Sequence, residues 1–180
     1  MTNARGIGLF FSLALALSGC SSAHQAVDVG SGIYALTVSG ERDACSPLRT
    51  TGAMGNVGVV SQDDVLNLSV PDLDAEASMR VSLSRSTGFH DERSEALPTC
   101  TDGTLDRSYT VVSADGTHFT VVYTETWRGL ASCGTAMRSV MPTAPSADCR
   151  AELVLDYQLD AECAAPCEIQ LTAGGAACSC

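Results

Sequence analysis

The sequence predicts an all-β protein: one antiparallel domain of about eight strands, either a small barrel or a two-sheet sandwich, stabilised by disulfides. Three observations support this prediction. Apolar residues recur at every second position in several short runs, as in antiparallel strands with one buried face. An Asp-Gly pair at 115–116 separates two β-rich runs, which is typical of a tight hairpin. The chain also contains nine cysteines in 180 residues, enough for a disulfide framework.

The first twenty residues have the composition of a secretion signal. Arg5 is the only charged residue before an apolar run of eleven residues at 7–17. Such a run is long enough for the core of a signal peptide and too short for a helix that crosses about 30 Å of hydrocarbon. We therefore expect residues 1–19 to be a signal peptide.

The apolar run ends in Leu17-Ser18-Gly19-Cys20. This sequence resembles the lipobox of bacterial lipoproteins, in which an aliphatic residue and two small residues precede a cysteine. The resemblance implies that Cys20 carries a diacylglycerol, becomes the mature N-terminus and is then acylated with a fatty acid such as palmitate. Two or three chains anchor a protein stably, because each buried CH₂ contributes about 0.8 kcal/mol. In that family an Asp after the cysteine favours the inner membrane, so Ser21 implies the outer membrane.

Lipidation of Cys20 leaves an even number of cysteines, which predicts four disulfides in an oxidising compartment. They are Cys45, Cys100, Cys133, Cys149, Cys163, Cys167, Cys178 and Cys180. A Cys133–Cys149 disulfide would close a fifteen-residue loop and contribute about 3 kcal/mol. Two further disulfides would then tie down the C-terminal segment and leave Cys45–Cys100 as the fourth pair. A zinc or redox site built from the C-terminal cysteines is the alternative, which the compartment and the spacing disfavour.

Composition excludes several classes of function. The formal net charge is −11 and the chain has no lysine, so nucleic acid is not an expected partner, because phosphate binding needs clustered positive charge. The absence of lysine also excludes Schiff-base chemistry and a P-loop. We expect no cofactor and no metal.

Period-two patterns place the strands in one domain. Residues 20–31 are small and polar and predict a flexible tether, which leaves a single domain at 32–180. Strands are expected near 34–38, 56–60, 66–70, 79–83, 153–159 and 167–172, and one or two helical turns within 131–141. The segment GIYALTV at 32–38 is similar to the opening Gly-x-Trp strand of lipocalin-like barrels, with Tyr34 at the tryptophan position. We carry over no ligand residue from that family.

The strongest local pattern is the hairpin at 108–127. A two-residue type I′ turn at Asp115-Gly116 would place Val112 opposite Phe119 and Thr110 opposite Val121. One face of the second strand is then assigned to the core through Phe119, Val121, Tyr123 and Trp127.

Three polar segments are candidate sites. The carboxylates at 71–76 could bind Ca²⁺, but the segment lacks the glycine and further acids of a calcium loop, and we interpret it as a solvated loop. His90-Asp91-Glu92 could form an acid–base or metal-binding cluster, but consecutive side chains diverge, so 89–98 is interpreted as a polar connection between strands. His118 is expected on the solvent-facing side of its strand, and no G-x-S-x-G motif provides a nucleophile.

These inferences predict a non-catalytic lipoprotein of the cell envelope. It would be held in the outer membrane by the lipid on Cys20 and would face the periplasm or the cell surface. Its β domain would bind a small ligand or an envelope protein. One alternative is a structural envelope component without a specific ligand, and another is a hydrolase that uses His90 or His118.

Overall fold

The computed structural model describes residues 29–45, 51–71, 78–163, 168–172 and 175–179. Eight antiparallel strands form a closed barrel in chain order, with the first strand beside the eighth. The strands are β1 (Gly32–Asp43), β2 (Gly52–Gln62), β3 (Val65–Pro71), β4 (Ser78–Ser84), β5 (His90–Ala96), β6 (Thr104–Ala114), β7 (His118–Arg128) and β8 (Cys149–Glu162). The all-β prediction is confirmed, and the barrel is the architecture that forms.

A short hairpin lies outside the barrel sheet. It consists of β9 (Glu168–Thr172) and β10 (Gly175–Ser179), so the strand expected at 167–172 is not one of the eight barrel strands. The helical turns expected within 131–141 are confirmed as a 3₁₀ turn at Leu130–Ser132 and α1 (Met137–Val140). In the part of the chain that the structure describes, no helix has the length and apolarity needed to cross a bilayer.

The interior of the barrel is filled by side chains. Phe119 stacks on Tyr157 with ring centroids 4.5 Å apart, and Tyr34 meets Phe119 edge-on at 5.2 Å. Such aromatic pairs contribute about 0.5–1.5 kcal/mol beyond the area that they bury. The surrounding aliphatic core includes Leu36, Val38, Val59, Leu66, Leu68, Val81, Leu83, Val121, Leu153 and Leu155. The inward face predicted from alternation is therefore confirmed on these strands.

A second apolar cluster closes one end of the barrel, which we call the lower end. Its buried residues are Cys45, Leu97, Leu105, Trp127, Leu130, Met137, Ala144 and Ala151. Disulfides Cys45–Cys149 and Cys100–Cys133 lie in or against this cluster. These two disulfides hold together the segments that cover the lower end of the barrel.

The expected pairs Cys133–Cys149 and Cys45–Cys100 are wrong. Antiparallel pairing of β1 with β8 brings the end of one strand to the start of the other, so the Cα atoms of Cys45 and Cys149 are 5.1 Å apart. The 104 residues between them conceal this neighbourhood in the sequence. At the C-terminus, Cys163–Cys178 ties β10 to the end of β8 and leaves neither sulfur as a zinc ligand. Cys20, Cys167 and Cys180 lie outside the described residues.

The register of the β6–β7 hairpin also differs from the prediction. Gly116 and Thr117 form the turn, and the Asp115 N–H donates to the His118 carbonyl at 2.9 Å. The Asp115 carboxylate accepts the His118 N–H at 2.9 Å, which holds the turn one residue later than expected. A bulge between Val111 and Ser113 then leaves Val112 exposed. The core face at Phe119, Val121, Tyr123 and Trp127 is confirmed, since all four side chains are buried.

Two segments have more structure than the sequence pattern indicated. Val29, at the end of the expected tether, is buried and bridges to Gly116. Residues 90–96, interpreted as a polar connection, form β5 and pair with β6 at all seven positions. That interpretation was wrong because β5 has no apolar face, and a strand without apolar alternation gives no period-two signal.

Candidate functional site at the seam between β4 and β5

The inward face of β5 is charged. Asp91, Arg93 and Glu95 lie opposite alternate β6 residues whose side chains are buried in the barrel. Their own side chains nevertheless remain 27%, 37% and 58% exposed, respectively. Residues that face a barrel interior and still contact solvent lie beside an opening in its wall.

The opening lies between β4 and β5, and we call it the seam. In the described residues these strands are joined by a single pair, Ser84–His90, whereas β5 and β6 pair along their whole length. Continuing the same register would place Asp91 opposite Leu83 and Arg93 opposite Val81. Enclosing a charged group against apolar side chains costs several kcal/mol for each ion. The charges on β5 therefore disfavour pairing beyond Ser84–His90, and their side chains stay partly exposed.

The upper end of the seam is fixed by a strained turn. Gly88 and Phe89 have φ values of 67° and 55°. The left-handed region costs a non-glycine residue about 1–2 kcal/mol, and Phe89 adopts it while its ring is buried. Its N–H donates to the Ser84 carbonyl at 2.7 Å, and its carbonyl accepts the Val111 N–H at 3.1 Å. These bonds hold the first residue of β5 next to the last residue of β4.

Behind the charged face of β5 lies a buried polar network. The Arg107 guanidinium is 9% exposed and pairs with the Glu95 carboxylate at 3.1 Å. Burial acts to lower the pKa of Arg107, but the neighbouring Tyr123, Glu95 and Tyr109 outweigh it and raise the pKa. The group therefore stays cationic inside the barrel wall. Tyr109 and Tyr123 pack beside it with ring centroids 5.0 Å apart.

Glu125 is the innermost carboxylate of this network, at 1% exposure. Its oxygens accept hydrogen bonds from the Tyr123 hydroxyl at 2.8 Å and the Trp127 Nε1 at 2.9 Å. Burial, followed by the Glu125 charge, raises the pKa of Tyr123 far above its usual value, so the phenol keeps its proton and donates. The sequence placed Tyr123 and Trp127 correctly, but the carboxylate between them on the same face was missed. Its position two residues from each was the available signal.

The candidate cluster at 90–92 does not converge. The His90 ring contacts Thr110 through Nδ1 at 2.7 Å and Glu92 through Nε2 at 3.1 Å on the outer face. Asp91 points to the opposite face and pairs with Arg93 at 2.7 Å. The expected divergence of consecutive side chains is confirmed.

His118 lies on the outer face of β7, as expected. Its Nε2 contacts the Asp156 carboxylate, which Thr120 also contacts. Among the described residues, neither His90 nor His118 hydrogen-bonds to a serine hydroxyl. The hydroxyl that contacts the His90 ring is that of Thr110, so in these residues neither histidine forms the serine–histidine pair of a serine hydrolase.

A polar groove of about 510 Å³ runs along the outer surface from β5 to β8 and borders the seam. Its lining includes Ser94, Asp106, Ser108, Thr124, Thr126, Arg128 and Arg150. Arg128 pairs with Asp106 at 3.4 Å, and both side chains are accessible. The carboxylates at 72, 74 and 76 that could bind Ca²⁺ lie outside the described residues. Within the described ranges, no group of three or more His, Cys, Asp or Glu side chains is arranged to hold a metal ion.

Comparison with known proteins identified no relative of this chain. No family model, curated protein or solved structure matches the chain. The class of protein is therefore defined by the fold itself: a disulfide-stabilised, eight-stranded antiparallel barrel with an external hairpin.

Proposed function

We propose that this protein is a non-catalytic, lipid-anchored component of the cell envelope whose barrel binds a protein partner. The observation that carries the proposal is the contrast between the packed interior and the charged, incompletely paired wall at β5. A packed interior favours recognition at the surface. The lipobox-like segment ending at Cys20 supports the anchor.

The packed core also favours a protein partner over a small apolar ligand. Barrels that enclose a ligand need interior volume. Here the side chains of Tyr34, Phe119 and Tyr157 occupy the interior and are fully buried. Aliphatic side chains surround them. The surfaces accessible to a partner are the polar groove and the seam, where exposed charged groups can form specific pairs.

A structural role without a specific ligand is the second candidate. Three disulfides among the described residues, one of which spans 104 residues, favour a domain that resists proteolysis outside the cytoplasm. The two candidates differ in one respect: the binding function requires one surface of the barrel to contact the same partner protein, and the structural role does not.

Photocrosslinking in the producing cell tests the binding function. A photoreactive amino acid replaces Glu92, which is 75% exposed beside the seam, or Val112, which is 55% exposed on β6. We expect one discrete adduct from the Glu92 position and none from the Val112 position. Equal adducts from both positions, or none from either, would contradict a specific partner at this face.

Fractionation tests the anchor. The Cys20→Ser variant lacks the thiol that accepts the lipid, so we expect it in the soluble fraction of the envelope. The lipidated chain without the substitution should stay with the outer membrane. Ser21→Ala is the matched control and should remain membrane-bound. A Cys20→Ser protein that stays in the membrane would show that the lipobox interpretation is wrong.

A further inference from the structure

We propose that the seam between β4 and β5 is a strand-addition site for an extended, basic segment of a partner protein. This inference rests on the binding function proposed above and assigns it a surface and a partner chemistry. Extended peptides add to unpaired sheet edges, where main-chain hydrogen bonds provide affinity and alternate side chains provide specificity.

The register identifies the backbone groups of β5 that face the seam. The Val111 N–H donates to the Phe89 carbonyl, so the odd-numbered residues of this strand direct their backbone groups towards β6. By alternation, Glu92, Ser94 and Ala96 direct their N–H and C=O groups towards β4. In the described residues no β4 residue pairs with these three.

The facing edge of β4 follows from the same alternation. The Ser84 carbonyl accepts the Phe89 N–H on the side of β4 away from β3, whereas the Arg85 N–H donates to Asp64 in the turn that precedes β3. Ser82 and Arg80 therefore direct their backbone groups towards the seam. Below the Ser84–His90 pair, donors and acceptors line both sides of the opening, as they do at a site for an added strand.

Charge decides which segment fits. The inward side chains of an added strand would lie beside Asp91, Arg93 and Glu95, which alternate in sign. Asp91 already pairs with Arg93 and Glu95 with Arg107, but both carboxylates remain partly exposed. Basic residues beside them would add a second cation to each carboxylate, and a small hydroxyl residue would suit the position beside Arg93. The formal charge of −11 on the whole chain also favours approach of a basic partner. A second copy of the chain has the same acidic excess and is a poorer match.

Synthetic peptides test this proposal on the purified Cys20→Ser chain. The probe is acetylated and amidated Ser-Lys-Val-Thr-Val-Lys-Ser, which matches the length of β5 and places both lysines and the threonine on one face. One control replaces the lysines with glutamates. A second control is N-methylated at both valines, which removes two backbone donors and keeps the charge.

Amide hydrogen exchange and calorimetry provide the readouts. We expect the lysine peptide to slow exchange at Glu92, Ser94 and Ala96, and both control peptides to bind at least about tenfold more weakly. Equal binding of the N-methylated peptide would overturn strand addition. Equal binding of the glutamate peptide would overturn the assignment of a basic partner.

A matched pair of variants tests the site in the protein. Ser94→Pro removes an N–H that faces the seam and leaves the β5–β6 hydrogen bonds in place, as proline is tolerated on edge strands. Ser94→Ala is the control, because both variants lose the bond from Ser94 Oγ to Asp106. We expect Ser94→Pro to abolish peptide binding and Ser94→Ala to retain it. Should Ser94→Pro fail to fold, the N-methylated peptide still decides the question.

The outcomes separate this inference from the proposed function. Absence of peptide binding together with a persistent crosslink at Glu92 would overturn strand addition and leave the binding function standing. Absence of both would overturn both. A dimer that forms on concentration and is lost in Ser94→Pro would identify a second copy as the occupant and overturn the assignment of a basic partner.

Discussion

Cys45 and Cys149 form a disulfide across the junction between β1 and β8, where the barrel closes. Next to the disulfide, the Ala44 N–H donates to the Arg150 carbonyl at 3.0 Å. The disulfide therefore continues the row of backbone hydrogen bonds between β1 and β8. This disulfide joins the two ends of the barrel sheet, which no local contact can bring together.

The two disulfides at the lower end should differ in their contribution to stability. On the chain-entropy relation, a bond across 104 residues contributes about 5 kcal/mol and one across 33 residues about 4 kcal/mol. Urea unfolding should therefore show a larger loss of unfolding free energy for Cys45→Ala/Cys149→Ala than for Cys100→Ala/Cys133→Ala. The reverse order would mean that strain or residual structure outweighs loop closure.

Glu125 should be required for a stable barrel. Glu125→Ala would leave the Tyr123 hydroxyl and the Trp127 N–H without their buried acceptor, at a cost of about 3–5 kcal/mol. Glu125→Gln keeps one acceptor oxygen and should cost less. Urea denaturation of the two variants measures the difference. A loss below about 1 kcal/mol in Glu125→Ala would contradict the buried position of this carboxylate.

The tyrosines predict loss of stability in alkaline solution. Burial raises the pKa values of Tyr34, Tyr123 and Tyr157 above the usual value of 10.0. A raised pKa in the folded state means that this contribution is fully present below pH 10 and is lost as the pH rises further, because the unfolded chain releases the protons first. We expect phenolate absorbance to appear together with unfolding. Independent titration of these three tyrosines near pH 10 in the folded protein would contradict this.

Gly129 should not tolerate a side chain. Its φ of 67° is left-handed, and a Cβ there would overlap the carbonyl of Asp102. Gly129→Ala should cost at least about 2 kcal/mol. Gly134→Ala is the control, since a Cβ at that position meets no atom within 4 Å, and its effect should stay within about 0.5 kcal/mol. Thermal unfolding compares the two, and equal melting temperatures would contradict the overlap.

The inward charges of β5 should be what keeps the seam apart. Replacing Asp91 and Arg93, which pair with each other, with valines removes the cost of enclosing them and keeps the Glu95–Arg107 pair. We therefore expect β4 and β5 to pair and the Ser94 amide to become protected from exchange. Replacing Glu92 and Ser94 on the outer face with threonine and valine is the control and should leave the seam unpaired. If the Ser94 amide stays unprotected from exchange in the first variant, the divergence of β4 and β5 has another cause, such as the turn at Phe89.

The strands with apolar alternation were predictable, and β5 was not. Tyr34 and Leu36, or Leu153 and Leu155, reveal a buried face because the side-chain period of a strand is two. The inward face of β5 is charged, and a charged face next to an opening looks in sequence like a solvated loop. For the same reason the candidate site could not be found from the sequence, since it is defined by the absence, in the described residues, of pairing between β4 and β5 beyond Ser84–His90.

The sequence by itself determined the strand positions with apolar alternation and the core face of β7, and it predicts export of the chain and a lipid on Cys20. Each of these depends on local spacing or composition. Only the tertiary structure decided that the sheet closes, which cysteines pair, where β5 lies and which charges line the seam. Those features depend on which distant segments become neighbours, and the closing contact between β1 and β8 joins residues more than a hundred positions apart.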